Sequence, residues 1–212
     1  MARVAVIGVG GWGKNHLRVL SELGALTAFC DIDPEKVRLY EDKYRVKGYL
    51  SVDDLLGREK IDATLICTPT SLHFDVAEKS LKAGLHTFVE KPLTYSSKEG
   101  EALAKMARDN GLILTVGYIE RFNPAVAELK RILNEGNIGE PLLLEFHREN
   151  RWRGSVRDVG IVLDTSVHDI DTARWLFGIE PQMVFAKTGS VISEHEDFAA
   201  IILDFGGNKT AF

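Results

Sequence analysis

Residues 3–13 read RVAVIGVGGWG. A short apolar run rich in β-branched residues ends in a glycine turn, and the turn opens a helix-like stretch over 12–23. The pattern GxGxxG falls on Gly8, Gly10 and Gly13. In this strand–turn–helix order it is the fingerprint of a loop that cradles a dinucleotide diphosphate. Gly8 allows the tight turn, Gly10 lets the backbone approach the pyrophosphate, and Gly13 lets the helix pack close to the strand. The helix N-terminus then faces the anion. Gly11 and Trp12 belong to the same loop; Trp12 either covers the cofactor or fills the interface between helix and sheet.

Working outward, the next strand-like run is 25–30, and Asp31 ends it, 18 residues after Gly13. A carboxylate at that place accepts hydrogen bonds from the adenosine ribose and repels a 2′-phosphate, so NAD is expected rather than NADP. The plainer reading of Asp31 is a turn residue before Asp33-Pro34. Lys36 and Arg38 follow inside a helix and are expected to face solvent.

The alternation continues. Helices are expected at 34–44, 52–57, 71–83 and 96–109, and strands at 47–49, 63–67, 86–89 and 112–116. Short β-branched runs separated by capped helices mean a parallel sheet with crossover helices. Ser96 with Glu99 three residues on is a capping box. Past residue 118 the pattern changes. Asn123-Pro124 starts a helix to about 134, 141–148 reads as a strand, 163–177 as a helix, and 182–190 and 197–205 as strands. The expectation is an α/β chain. Residues 1–118 form an NAD-binding Rossmann domain with a doubly wound parallel sheet. Residues 119–212 form a substrate-binding α+β domain with an open, largely antiparallel sheet. The last four residues begin a further strand, so this domain is expected to be incomplete and its sheet to continue.

Bulk properties bound the function. The chain has 212 residues, 45% hydrophobic and 27% charged, with formal net charge −5. An acidic balance is a poor footprint for nucleic acid, which is bound by neutralising phosphates. No apolar run approaches the roughly 20 residues that span a bilayer, and no leader pattern opens the chain. No membrane partner and a cytoplasmic location are expected. Cys30 and Cys67 end strands separated by the first strand, about 10 Å apart and out of disulfide reach.

GluLysPro at 90–92, ThrProThr at 68–70 and the run 158–171 with Asp164, His168 and Asp169 follow the glycine loop in order. Together these motifs resemble the glucose–fructose oxidoreductase, inositol dehydrogenase and MocA family along the whole chain. The resemblance implies a nicotinamide cofactor and a sugar or polyol substrate. Lys91 stands at the family's catalytic lysine, and Asp164 and His168 at its active-site pair. Thr68, Pro69, Thr70, His73 and Glu90 would border the cofactor. Two departures are visible: the chain is shorter than family members usually are, and Thr165-Ser166 stands where a glycine is frequent. GYIERFNP at 117–124 and HRENRW at 147–152 narrow the resemblance to the nucleotide-sugar branch that includes the UDP-N-acetylglucosamine 3-dehydrogenases.

The chemistry suits these residue types. Oxidising a secondary alcohol moves a hydride to the nicotinamide and a proton to a base near working pH. His168 suits that proton, and Asp164 four residues earlier shares its helix face. Lys91 leaves the C-terminal end of a strand, where open α/β sheets bind ligands. The sequence leaves open which of Lys91 and His168 is the base. Arg148, Arg151, Arg153 and Arg157 are either surface cations paired with Glu149 and Asp158 or a fork for a substrate diphosphate. Tyr118 either edges the substrate or packs. His16, His86 and His195 read as plain helix, loop or strand-end histidines, as does His73 on its residue type alone. No zinc template is present, and no metal is expected. A homo-oligomer through the second sheet is expected. The alternatives are a polyol or inositol dehydrogenase and a non-catalytic NAD-binding sensor.

Overall fold

The structure, a computed structural model, describes residues 1–149 and 158–212. It divides into two compact units, Met1–Gly117 and Tyr118–Phe212.

The first unit alternates strand and helix: β1 (Val4–Ile7), α1 (Gly13–Glu22), β2 (Leu26–Cys30), α2 (Pro34–Tyr44), β3 (Lys47–Tyr49), α3 (Val52–Arg58), β4 (Ala63–Ile66), α4 (His73–Lys82), β5 (His86–Val89), α5 (Ser97–Asp109) and β6 (Leu114–Val116). The strand order is β3-β2-β1-β4-β5-β6, with every pairing parallel. Helices cover both faces, so all four residues of β1 are buried, as a central parallel strand requires. One side packs Ala5, Ile7, Ile66, Leu81 and Leu103, the other Val6, Val9, Leu17 and Phe29. Helix starts are fixed by side chains. The Asp33 carboxylate accepts the N–H groups of Glu35 and Lys36, Ser51 caps α3, and the Ser96–Glu99 capping box opens α5. Each such cap contributes roughly 1 kcal/mol. The order reverses at β1, and the crevice outside the strands' carboxyl ends there is where doubly wound sheets hold ligands.

In the second unit, α6 (Pro124–Asn134) starts at Asn123, whose side chain accepts the Ala125 N–H. Then come β7 (Leu143–Leu144), α7 (Val167–Phe177), β8 (Met183–Gly189), β9 (Phe198–Asp204) and β10 (Thr210–Ala211). The sheet order is β7-β10-β9-β8. Two of its pairings are antiparallel, and β10 with β7 is parallel. Ala173 of α7 packs on Leu203, Phe205 and Ala211, with the rings of Phe177 and Phe205 4.7 Å apart.

Two elements differ from the sequence reading. The strand expected over 141–148 is only Leu143–Leu144, because its neighbour β10 offers two residues to pair with. The helix expected from 163 begins as a π-helical turn, Val162–Ser166, before α7. Glu196 sets that start: its carbonyl accepts the Ile161 N–H at 2.8 Å and its carboxylate accepts the Val162 N–H at 3.3 Å. Among the described residues, no helix is long and apolar enough to cross a membrane.

Candidate functional site

The fingerprint loop leaves β1 at Gly8, whose φ is +84° and whose missing Cβ would stand 2.7 Å from the Cys67 carbonyl oxygen. A Cβ on Gly13 would collide with the Gly8 carbonyl, whereas one on Gly10 or Gly11 would meet nothing within 4 Å. Thus Gly8 and Gly13 make the loop close on itself, and Gly10 and Gly11 leave bare backbone facing open space. The first turn of α1 carries no acidic residue. This is a cradle into which a diphosphate fits, against the positive end of a helix. Trp12 is half exposed and does not fill the helix–sheet interface.

Asp31 is nearly buried. Its Oδ2 accepts the Val9 N–H at 2.8 Å and its Oδ1 accepts the Asp33 N–H at 3.0 Å. Each oxygen keeps a further lone pair for a hydroxyl donor. Lys36 does not simply face solvent: its ammonium lies 3.8 Å from Asp31 and 3.4 Å from Asp33. Ile32, overlooked in the sequence, is 89% exposed beside Asp31. The visible signal was an apolar β-branched residue between two acids at a strand end.

The neighbouring strand ends carry the other first-unit candidates. Thr68, Pro69 and Thr70 follow β4. The Pro69 carbonyl accepts the Leu72 N–H, and Thr70 is buried. His73, also buried, opens α4. Its Nε2 lies 2.9 Å from the Thr68 carbonyl oxygen and its Nδ1 lies 2.7 Å from that of Pro92. Glu90 follows β5 and is buried. Its Oε1 lies 2.7 Å from His16 Nε2, and its Oε2 accepts the Lys91 N–H at 3.3 Å. His16 is a helix histidine, as expected, and its ring in addition meets the Glu90 carboxylate. Lys91 is half-buried, and the Lys91–Pro92 peptide is cis. Burial and the charge of Glu90 push the Cys67 thiol well above the ordinary thiol range. Burial, with Asp31 and Asp54, pushes Cys30 up to about 12. Both are free thiols and neither is a nucleophile at neutral pH.

In the second unit, Asp164 lies in the π-helical turn and His168 in the first turn of α7. The expected four-residue spacing thus straddles a π–α junction rather than one regular α-helical turn. The Thr165 hydroxyl donates to Asp164 Oδ2 at 3.3 Å, and the Thr172 hydroxyl donates to the His168 carbonyl at 2.8 Å. Arg148 is held by acids: its Nε donates to both oxygens of Asp169 at 2.8 Å, and its terminal nitrogen donates to Glu120 at 3.3 Å. Hydrogen bonds from Asn123 and Arg148, with the positive potential of Arg148 and His168, hold Glu120 below the usual carboxylate range. A pocket beside this cluster is lined by Phe146, Arg148, Ser166, Asp169, Ile170 and Phe212. Burial pushes the Tyr118 hydroxyl up. The Tyr118 ring lies 6.0 Å from the guanidinium of Arg121, which grips buried Asp171 with bonds of 2.6 and 2.7 Å. Arg151, Arg153 and Arg157 lie outside the described residues.

Two family models match the chain. Residues 2–118 match an oxidoreductase family with an NAD-binding Rossmann fold, and residues 126–212 match the GFO/IDH/MocA C-terminal domain. The chain is 34% identical over 209 residues to a UDP-N-acetylglucosamine 3-dehydrogenase of Acidithiobacillus ferrooxidans, covering 99% of this chain and 65% of that protein. The solved structure of that enzyme superposes with a TM-score of 0.88 at 32% identity, over 99% of this chain and 65% of that one. The chain is also 34% identical over 190 residues to a scyllo-inositol 2-dehydrogenase (NAD(+)) of Bacillus subtilis, covering 84% of this chain and 54% of that protein. It thus spans less than two thirds of the length of these relatives. The glycine cradle, the acidic end of β2, the Glu90-Lys91-Pro92 segment and both family matches agree: the chain belongs to the GFO/IDH/MocA oxidoreductase family.

Proposed function

We propose that the protein oxidises a secondary hydroxyl of a sugar or nucleotide sugar, with NAD as the hydride acceptor. The substrate put first is UDP-N-acetylglucosamine, oxidised at carbon 3, after the 34%-identical relative named for that activity. The observation that carries this reading is an alignment along one sheet edge. Adjacent strands β1, β4 and β5 end in the glycine cradle, the Thr68–Thr70 turn and Glu90-Lys91 respectively. Cofactor-binding backbone and a candidate catalytic lysine therefore share the crevice side of one parallel sheet.

The residues divide the work as follows. Gly10, Gly11 and the start of α1 receive the diphosphate, Asp31 accepts the adenosine ribose hydroxyls, and exposed Ile32 offers an apolar wall beside them. Bound there, the oxidised nicotinamide supplies the acceptor for the hydride leaving the substrate's C–H bond. The hydroxyl proton goes to a protein base, Lys91 or His168. Lys91 in its ammonium form also stabilises negative charge on the substrate oxygen. Asp164 orients His168 or a neighbouring hydroxyl. Tyr118 edges the sugar, and Arg151 and Arg153 are the candidates for a substrate diphosphate. We also propose self-association through the outer face of the second sheet. There Met183 and Phe185, cross-strand from Asp204 and Ile202, are more than 60% exposed.

A second reading, oxidation of a polyol, is favoured by one observation: Arg148 is already held by Asp169 and Glu120, which removes one cation from any diphosphate site. Steady-state kcat/KM for UDP-N-acetylglucosamine, free N-acetylglucosamine and scyllo-inositol separates the two. The nucleotide-sugar reading requires the UDP-sugar to lead by at least about tenfold, the scale of one charged hydrogen bond. A lead for the inositol gives the polyol reading its place.

A further inference from the structure

We propose that His16 and His73 are positioning residues that fix Lys91 by gripping the residues on either side of it. The inference rests on the role given to Lys91 above and assigns that role two supports from separate helices.

The direction of a lysine side chain is set first by its own backbone. The bonds that hold the residues flanking Lys91 come from three places. The Glu90 N–H reaches the Ile66 carbonyl at 2.9 Å, where the sheet ends. The Lys91 N–H turns back to Glu90 Oε2, and Pro92 has no N–H. The Glu90 carboxylate on one side of Lys91 and the Pro92 carbonyl on the other are both held from outside the segment. A histidine meets each. His16, in α1, lies 2.7 Å from Glu90 Oε1. His73, at the start of α4, lies 2.7 Å from the Pro92 oxygen.

The surroundings leave these groups one place to be. The His16 ring packs edge-on to Phe88 at 5.4 Å. Gly117 has no Cβ, and one there would stand 2.8 Å from Glu90 Oε2. Glu90 is 8% exposed and His73 1%, so neither exchanges its partner for water cheaply. Both partners of the His73 ring are carbonyl oxygens, which only accept, so the ring meets them as a donor. The same two histidines tie the Lys91 segment to the cofactor loops. His16 sits one turn inside the helix that the glycine cradle opens, and His73 also bonds to Thr68. Cradle, Thr68 turn and lysine are braced as one piece.

Amide side chains that mimic one ring nitrogen at a time test this. His73→Asn places a donor at Nδ1 and keeps the Pro92 bond, whereas His73→Gln places it at Nε2 and keeps the Thr68 bond. His16→Gln keeps the bond to Glu90, and His16→Ala removes it. Misplacement of a reacting group by about 1 Å costs on the order of 100-fold in rate. His16→Ala and His73→Gln should therefore lower kcat by about 10- to 100-fold while the KM for NAD changes by less than about threefold. His16→Gln and His73→Asn should stay within about threefold of wild type. A second readout needs no substrate. In protein labelled with 13Cε-lysine, the Lys91 signal, identified by its loss in Lys91→Arg, should move in His16→Ala and His73→Gln and stay in the two rescuing variants. Equal kcat and an unmoved Lys91 signal in all four folded variants would overturn the proposal, as would equal losses in His73→Asn and His73→Gln. The NMR pattern without turnover on any alcohol would instead overturn the catalytic reading and leave the bracing intact.

Discussion

The N–H of Val9, inside the fingerprint loop, donates to the carboxylate of Asp31 at 2.8 Å. The proposed phosphate cradle and the proposed ribose-binding acid are thereby tied together across the β1–β2 pairing. Replacing Asp31 by Ala removes both the ribose acceptor and this tie. It should weaken NAD binding by about 10- to 100-fold, the scale of one or two charged hydrogen bonds, and weaken NADP far less. Calorimetric titration with each cofactor measures this. Tighter binding of NADP than NAD by the unmutated protein would contradict the role of Asp31.

Gly117 gives a prediction about packing. A methyl group there must displace Glu90 or Phe88, whose nearest atoms would lie 2.8 and 3.0 Å away. Overpacking of this kind costs about 1–3 kcal/mol. Gly117→Ala should lower the melting temperature and reduce turnover together, with little change in NAD affinity. A variant as stable and active as wild type would show that Glu90 has room to move.

Arg148 gives a prediction about substrate. Its guanidinium bridges Asp169, the residue after His168, and Glu120. Arg148→Ala should reduce kcat/KM for a UDP-sugar and for the free sugar by the same factor, about tenfold, because it loosens α7 rather than a diphosphate contact. A loss confined to the UDP-sugar would return Arg148 to the diphosphate.

The thiols give a prediction in pH. Cys30 is raised from 9.0 to about 12, chiefly by burial. The folded state therefore resists deprotonation that the unfolded chain undergoes at lower pH. The stability this contributes is complete below about pH 9 and is lost as pH rises toward 12. The margin by which wild type exceeds Cys30→Ala in urea should narrow between about pH 8 and 11. In the folded protein at pH 8, iodoacetamide should label neither Cys30 nor Cys67. Rapid labelling of either thiol would contradict its burial.

Much of the first unit was legible because its signals are local. The glycine loop, the capping box at Ser96 and the β-branched runs each lie within a few residues, and Asp31 follows at a fixed distance. The unread features are not local. His16 and Glu90 are 74 residues apart, and only the strand order β1-β4-β5 brings them together. Arg148 reaches Asp169 across 21 residues, which no periodicity reveals. The π-helical turn at Asp164 was hidden because the apolar pattern over 163–177 fits a 3.6-residue period well enough to mask one wide turn. The residue that caps its first N–H groups, Glu196, lies on the loop before β9. The extent of β7 is not written in its own residues: an apolar run shows that a strand is possible, while the length of its partner decides how much of it pairs.

The most direct measurement is the absorbance of reduced nicotinamide when the protein is mixed with NAD and a panel of nucleotide sugars, free sugars and polyols. The account predicts reduction that depends on a secondary alcohol. In Lys91→Ala it should fall by at least about 100-fold, the lower end of what a general acid or base contributes, while NAD still binds. Tight NAD binding with no reduction on any member of the panel would contradict the account and identify the protein as a cofactor-binding sensor.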